Sequence, residues 1–295
     1  MFTYMDLQMP LDVLLPLELF EMTSLVSLDV AANHYLSGTI PTQLQFMTQL
    51  TSLRLNNNVL TGPIYSELGL LTQLARLELY ANDLTGTLPT ELGLWTGMRN
   101  LALGPSLLTG SVPSQVGRLS NLVKLFLQES TLSGNLPSEL GLLTALTRLW
   151  IHHNHVGGPL PTMLGPSLQQ LWLQHNQFTG PMAIGWWPSL YELQMGNNLV
   201  SGTIPSELAL LSNVRELEMS NLTNLEGTIP PEMASLTLLG HFDVSGSSGI
   251  VGTIPPAFCK FQQNASCTYQ SKFGTNNCVL EYDCSDRLCG CSCPC

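Results

Sequence analysis

Residues 71–98 read LTQLARLELYANDLTGTLPTELGLWTGM, and this stretch holds one complete copy of a unit that recurs along the chain every 22 to 25 residues. One column of the repeat is mostly asparagine or serine: Asn33, Asn58, Asn82, Ser106, Ser130, Asn154, Asn176, Asn198, Leu222 and Ser247. Another column is always glycine: Gly38, Gly62, Gly86, Gly110, Gly134, Gly158, Gly180, Gly202, Gly227 and Gly252. Two columns in one register predict ten stacked repeats.

The L-x-L segment of each copy predicts a short strand. Leu77 and Leu79 share one face of that strand by its period of two, and Glu78 points to the other face. One repeat cannot bury its own leucines, so neighbouring repeats must stack and form a parallel sheet over a continuous core. A side-chain amide in the asparagine column is suited to satisfy backbone groups that the turn after the strand leaves unpaired.

The segment L-[ST]-G-x-[IL]-P occurs as Leu36-SGTIP, Leu84-TGTLP, Leu132-SGNLP and Val200-SGTIP. By this motif, roughly from residue 15 to residue 258, the chain resembles plant-type leucine-rich repeat proteins. It is similar to receptor-like protein ectodomains and to polygalacturonase-inhibiting proteins. The resemblance implies an α/β fold: a right-handed leucine-rich repeat solenoid, or horseshoe, with a parallel concave sheet and short helical or 3₁₀ turns on the convex side.

Three regions follow from the repeat boundaries. We expect a degenerate N-terminal partial repeat over residues 1–16, a solenoid of about ten repeats over 17–258, and a cysteine-rich C-terminal cap over 259–295. In the ninth repeat Leu222 stands in the asparagine column, and we expect Asn221 or Asn224 to take over its role. The repeats from Asn154 to Asn198 are each 22 residues long, so the convex segment is shortened there. Within that stretch Trp186 and Trp187 are expected to pack in the core.

The formal net charge is −11, from 10 Lys and Arg against 21 Asp and Glu, and this balance argues against a nucleic-acid partner. No stretch is long and apolar enough to predict a membrane span. Residues 1–20 carry three acidic residues and no basic one, so no signal peptide is visible. No motif of a catalytic or cofactor-binding site is present, and we expect neither an enzyme nor a bound cofactor. The oligomeric state stays open.

All eight cysteines lie in the last 37 residues: Cys259, Cys267, Cys278, Cys284, Cys289, Cys291, Cys293 and Cys295. An even number in a short segment predicts disulfides and an oxidising compartment, with the pairing open. The alternative is soft-metal binding by thiolates. Asn221 and Asn264 begin glycosylation sequons, and a secreted or cell-surface protein is expected. The tail is also similar to the cysteine-rich endings of leucine-rich repeat proteins from microalgae such as diatoms.

The outward strand positions carry aromatic residues in three successive repeats, namely Phe126, Trp150 and Trp172. Exposed aromatic rings beside charged and amide side chains suit a protein, peptide or carbohydrate ligand on the concave face. The alternative is that the rings only stack on one another and stabilise the sheet. The predicted ligand-binding residues are Lys124, Phe126, Gln128, Arg148, Trp150, His152, His153, Gln170, Trp172, Gln174 and His175.

Further hypotheses remain beside ligand recognition in a receptor-like role. The first is inhibition of a cell-wall-degrading polygalacturonase. The second is ice binding by two files of hydroxyl residues beside the glycine column: Ser37, Thr61, Thr85, Thr109, Ser133, Thr179 and Ser201, and then Thr39, Thr87, Ser111, Thr203, Thr228 and Thr253. His153 and His175, with His152 and His155 nearby, give only a weak metal signal, and no metal site is predicted.

Overall fold

The computed structural model describes residues 4–6, 14–160, 162, 164–185 and 187–251. The chain divides into two compact units, Met1–Val156 and Gly157–Cys295. Both units are built as the repeat pattern predicts, because each repeat contributes a three-residue parallel strand to a main sheet. The eight cysteines, Asn264 and Trp186 lie outside the described residues.

The first unit contains a main sheet and two short strand pairs near the glycine column. Its main sheet has the order β1-β2-β3-β5-β7-β9-β11, and β4 pairs with β6 and β8 with β10. The strands are β1 (Tyr4–Asp6), β2 (Ser27–Asp29), β3 (Ser52–Arg54), β4 (Thr61–Pro63), β5 (Arg76–Glu78), β6 (Asp83–Thr85), β7 (Asn100–Ala102), β8 (Thr109–Gly110), β9 (Lys124–Phe126), β10 (Thr131–Asn135) and β11 (Arg148–Trp150).

The second unit repeats this plan. Its main sheet has the order β13-β15-β17-β19, and its second sheet the order β12-β14-β16-β18-β20. The strands are β12 (His155–Pro159), whose first two residues belong to the first unit, β13 (Gln170–Trp172), β14 (Gln177–Pro181), β15 (Glu192–Gln194), β16 (Leu199–Thr203), β17 (Glu216–Glu218), β18 (Asn224–Gly227), β19 (His241–Asp243) and β20 (Gly249–Ile250).

The helical elements of the described residues are 3₁₀ turns of five residues each. They are η1 (Leu17–Glu21), η2 (Thr42–Phe46), η3 (Ser66–Leu70), η4 (Thr90–Leu94), η5 (Ser114–Arg118), η6 (Ser138–Leu142), η7 (Ser206–Leu210) and η8 (Pro231–Ser235). Most follow an extended proline, such as Pro89 at φ −70° and ψ 143°, because the ring fixes φ and has no N–H to pair. None is long and apolar enough to cross a membrane in the part of the chain that is described.

The core lies behind the main sheets. The central leucines of neighbouring strands pair in register, as Leu77 does with Leu101 and Leu193 with Leu217. All four are at most 1% exposed. Each leucine therefore rests on the leucine of the next repeat, which is how a repeat that has no core of its own becomes stable.

The asparagine column does what the sequence predicts. The Asn82 amide Nδ2 donates to the carbonyls of Leu79, at 2.8 Å, and Leu55, at 2.9 Å, while its Oδ1 accepts from the N–H of Leu60, at 2.9 Å. Asn82 is only 7% exposed. One side chain thus satisfies backbone groups of its own repeat and of the preceding one.

The expectation for the ninth repeat is wrong. Leu222 is fully buried in the asparagine column, whereas Asn221 and Asn224 are exposed. The backbone groups are satisfied from the next repeat instead: the Ser247 hydroxyl donates to the carbonyl of Met219 at 3.1 Å and accepts from the N–H of Leu222 at 2.9 Å. Because the hydroxyl group both donates and accepts, one serine serves both groups.

We predict that Asn82→Ala lowers the free energy of unfolding by about 2–3 kcal/mol, because it leaves buried backbone groups without partners. Urea denaturation followed by far-ultraviolet circular dichroism measures the change. Asn135→Ala is the control, since Asn135 is exposed, and its change should stay within about 0.5 kcal/mol. Equal effects of the two substitutions would contradict the role of the buried amide.

Candidate functional site

The outer face of the main sheet carries the side chains that flank each buried leucine. In β9 and β11 the central residues Leu125 and Leu149 are buried, and the residues on both sides of them are half-buried. Phe126 and Trp150 therefore lie on the outer face, beside Lys124 and Arg148. The sequence placed these four side chains together, and the first unit brings them together.

Phe126 and Trp150 stack on each other. Their ring centroids are 4.1 Å apart and the ring planes are 17° from parallel. The two residues are partners in the register of β9 and β11. Such a pair contributes about 0.5–1.5 kcal/mol to the stability of the fold, so the rings stabilise the sheet, as the alternative to ligand binding states. Both rings nevertheless stay partly exposed and offer a flat apolar surface to a ligand.

At one end of this face, four charged side chains neutralise one another. Arg54 forms ion pairs with Asp29 and, at 2.9 Å, with Glu78, and Arg76 lies 3.6 Å from Glu78. The hydrogen bond to Glu78, followed by the attraction of Asp29, raises the pKa of Arg54 above its usual value. Asn100 also donates to Glu78, at 2.9 Å. This end of the sheet is a closed network of charges.

Lys124 and Arg148 differ from those residues. They are register partners on adjacent strands, and neither takes part in an ion pair with any residue that the structure describes. Like charges directly opposite each other across a sheet are destabilising. The two cations with the stacked rings beside them form a group that we call the cation–aromatic patch: Lys124, Phe126, Arg148 and Trp150.

Amide and imidazole side chains border this patch. Gln128 Nε2 donates to the Gly104 carbonyl at 2.9 Å. His152 is 8% exposed and packs edge-on against the exposed ring of His153, with centroids 5.6 Å apart. His153 has a φ of 53°, because it sits at the left-handed turn that follows each strand. Gln128 and His152 are therefore held by the fold.

Three of the four predicted residues of the second unit belong to a hydrogen-bond network that the sequence analysis did not identify. Glu192, 8% exposed, accepts from Trp172 Nε1 at 2.7 Å and from Gln170 Nε2 at 2.6 Å. Gln194 donates to Glu192 at 2.9 Å and accepts from Gln174 Nε2 at 2.9 Å. Glu192 is the first residue of its strand. The sequence analysis assigned a role to that position only in the strands that also carry an outward aromatic residue.

Two further residues that the sequence analysis named, His175 and Asn221, are exposed. His175 is exposed at a left-handed turn with φ 55°. No group of three or more His, Cys, Asp or Glu side chains among the described residues is arranged to hold a metal ion. Asn221, the sequon residue that the structure describes, is exposed.

No protein-family model matches the chain, and no curated protein matches it either. Solved structures do match. The Arabidopsis receptor kinase HAESA, in complex with the peptide hormone IDA and the co-receptor SERK1, is 30% identical with a TM-score of 0.74, over 87% of this chain and 47% of that one. A TDR receptor is 26% identical with a TM-score of 0.79, over 86% and 45%. The chain thus spans about half the length of these receptors.

A third similar structure is that of a plant ice-binding protein. It is 26% identical with a TM-score of 0.64, and the match covers 74% of this chain and 70% of that one. This protein is closer in length to the present chain than the receptors are.

We predict that Glu192→Gln lowers the free energy of unfolding by about 1–3 kcal/mol, because a neutral amide cannot accept all the hydrogen bonds that converge on the carboxylate. Urea denaturation measures the loss, and the indole N–H signal of Trp172 in a nitrogen-15 spectrum should shift. Glu226→Gln is the control, because Glu226 is exposed. An unchanged Trp172 signal in the Glu192 variant would disprove the anchoring of the ring.

Ten repeats with strands in register, a hydrogen-bonded asparagine column and these structural neighbours identify the chain as a plant-type leucine-rich repeat solenoid.

Proposed function

We propose that the chain is a non-enzymatic extracellular recognition module that binds a peptide ligand at the cation–aromatic patch. The supporting observation is that Lys124 and Arg148 lie opposite each other without an acidic partner among the described residues, beside two half-buried stacked rings. The chain carries 21 acidic residues, so a shortage of carboxylates does not explain the uncompensated pair. A ligand with a carboxylate next to an apolar or aromatic group matches this surface.

The similar receptor structures support a peptide as the ligand. HAESA binds a peptide hormone together with a co-receptor. By analogy we propose a receptor-like role in signalling or adhesion, in which further parts or partners transmit the signal. Outside the cell, Asn221 and Asn264 would be glycosylated and the eight cysteines would form disulfides. Gln128, His152 and His153 are proposed as additional ligand contacts in the first unit. Gln170, Trp172, Gln174 and His175 are proposed as ligand contacts of the second unit, which is considered by itself.

The test is a set of peptide and glycan arrays probed with the full chain. We expect binding to peptides that carry Asp or Glu near Phe, Tyr, Trp or Leu. We expect Phe126→Ala with Trp150→Ala to reduce affinity at least about tenfold, as loss of a central aromatic anchor does. The free energy of unfolding should fall by only about 1–3 kcal/mol. Tyr35→Ala is the control, because Tyr35 is 49% exposed and lies off the main sheet.

Three other results would change the proposed site, the proposed ligand or the proposed function. Binding that survives the double substitution would exclude the patch as the site. Selective binding to acidic glycans would replace the peptide with a carbohydrate ligand. Slowing of a polygalacturonase in a direct assay, sensitive to the same substitutions, would favour the inhibitor alternative.

Ice binding is a second candidate, favoured by the hydroxyl residues beside the glycine column. Thr61, Thr85 and Thr109 are exposed, and Thr39 pairs with Thr61 as Thr87 does with Thr109. The methyl groups of these side chains lie against glycines: a Cβ on Gly110 would be 2.9 Å from Thr87 Cγ2. The array is thus regular and held in place, and a similar structure is an ice-binding protein.

We predict that, if ice binding is the function, the chain produces thermal hysteresis that Thr87→Lys with Thr109→Lys removes, because two long charged side chains disrupt a flat hydroxyl surface. Nanolitre osmometry measures the effect. Thr72→Lys, an exposed position outside both files, is the control. The absence of hysteresis and of recrystallisation inhibition in the unsubstituted chain would exclude this candidate.

A further inference from the structure

A groove in the first unit runs along the turns that follow strands β3, β5, β7 and β9. Its volume is about 410 Å³. Residues of four successive repeats line it, among them Val59, Ala81, Asp83, Pro105, Leu107 and Glu129. Because repeats stack at the strand spacing of about 4.8 Å, the groove is about 14 Å long and matches about four residues of an extended chain.

The repeat pattern changes at this groove. Ser106, one of the lining residues, stands in the asparagine column, as does Ser130 in the next repeat. The two hydroxyls lie 2.9 Å apart, and Ser130 also donates to the carbonyl of Gln128 at 3.3 Å. Asn82, by contrast, makes three hydrogen bonds of 2.8–2.9 Å with backbone groups. The two serines therefore give up hydrogen bonds of the repeat, and such a departure is expected where a surface has a binding role.

Apolar and acidic side chains alternate along the groove. Val59, Asp83 and Leu107 each follow the asparagine column directly, in three successive repeats. Val59 is 41% exposed and Leu107 is 51% exposed, and Asp83 is exposed between them. Glu129 is exposed in the next repeat. The groove therefore offers two apolar contacts and two carboxylates to a partner.

Neither carboxylate of the groove is neutralised within the described part of the chain. Asp83 and Glu129 form no ion pair with any residue that the structure describes, whereas Asp29 and Glu78 of the main sheet both pair with Arg54. Two uncompensated carboxylates favour a partner with a basic group and repel nucleic acids and anionic membranes. The charge of the groove thus selects a cationic occupant.

We propose that this groove binds an extended segment of a partner protein in which a lysine or arginine has an apolar residue on each side. The basic side chain pairs with Asp83 or Glu129, and the apolar side chains cover Val59 and Leu107. A small cation would leave Val59 and Leu107 uncovered, so the alternation of side chains and the length of the groove favour a polypeptide. None of these residues belongs to the cation–aromatic patch, so the two proposals are tested separately.

The test uses the full chain with carbon-13 in the alanine methyl groups. Ala81 lines the groove, and Ala81→Ser assigns its signal. The probe is N-acetyl-Leu-Arg-Leu-amide. We expect it to shift the Ala81 signal with a Kd of about 1 mM, because an open groove gives a short flexible peptide little binding energy beyond its ordering cost. N-acetyl-Leu-Glu-Leu-amide carries the wrong charge and N-acetyl-Ser-Arg-Ser-amide lacks the apolar groups, so both should bind at least about tenfold more weakly.

Substitutions separate the two parts of the groove. Asp83→Asn with Glu129→Gln should weaken binding about three- to tenfold, the effect of two exposed ion pairs. Glu21→Gln with Glu226→Gln removes the same charge from exposed positions outside the groove and should have no effect. Leu107→Ser should weaken binding at least about threefold through loss of an apolar contact. The dispersion of each spectrum reports whether the variant folds.

Several results would overturn the proposal. These are an Ala81 signal that no probe moves, binding of the Leu-Glu-Leu or Ser-Arg-Ser peptide as tight as that of the Leu-Arg-Leu peptide, and equal binding by the chain that lacks both carboxylates. The chain with Phe126→Ala and Trp150→Ala should bind the probe as the unsubstituted chain does. Loss of binding in that chain would assign the probe to the cation–aromatic patch and exclude the groove.

Discussion

The buried amide that follows the main-sheet strand in six of the ten repeats is the interaction on which the rest of the structure depends. Asn82 joins three backbone groups of two repeats, and Asn154 makes the same contacts with Leu127, Ile151 and Leu132. A leucine core alone would let a repeat slide, because apolar contact has no direction. The amide has direction, so it fixes where each strand ends relative to the previous one. The register of the main sheet follows from that.

A fixed register turns residues about 24 positions apart in the sequence into neighbours. On one part of the sheet this places opposite charges side by side, as for Asp29, Arg54 and Glu78. At β9 and β11 the same geometry places Lys124 against Arg148, which lowers rather than raises the stability of the sheet. Stability therefore does not explain this pair, which is why we propose an anionic ligand for it.

The repeat made most of the fold predictable from sequence, because each position has one environment that recurs. The strands, the outward direction of Phe126 and Trp150, and the role of the asparagine column follow from periods of two and of about 24 residues. The prediction was wrong where a residue of the next repeat supplies the hydrogen bonds to the backbone. Ser247 serves the backbone around Leu222, so neither Asn221 nor Asn224 is needed. A pattern aligned within one repeat does not show such an exchange.

The hydrogen bonds of Glu192 also depend on a neighbouring repeat. So does the absence of a 3₁₀ helix between η6 and η7 among the described residues. Glu192 is an ordinary acidic residue in its own repeat, and it becomes an anchor only because Trp172 and Gln170 lie on the neighbouring strand. A deletion of two residues is visible in the sequence. Whether the neighbours close over the gap depends on packing, which local propensity does not encode.

The threonine surface beside the glycine column and the cation–aromatic patch differ in how much order they already possess, and this difference limits what each can bind. The threonines beside the glycine column are stiff at χ1 and lie against glycines, and Thr61 and Thr109 also donate to backbone carbonyls. Such a surface loses little entropy when it meets an ordered partner. Lys124 and Arg148 are long and have no ion-pair partner in the part of the chain that is described, and fixing each of them costs up to about 2 kcal/mol of side-chain entropy. A small anion alone would barely offset that cost. In the proposed site, the rings of Phe126 and Trp150 would supply the apolar contact that makes binding favourable, so we expect a ligand of the sheet face to carry an apolar group next to its charge.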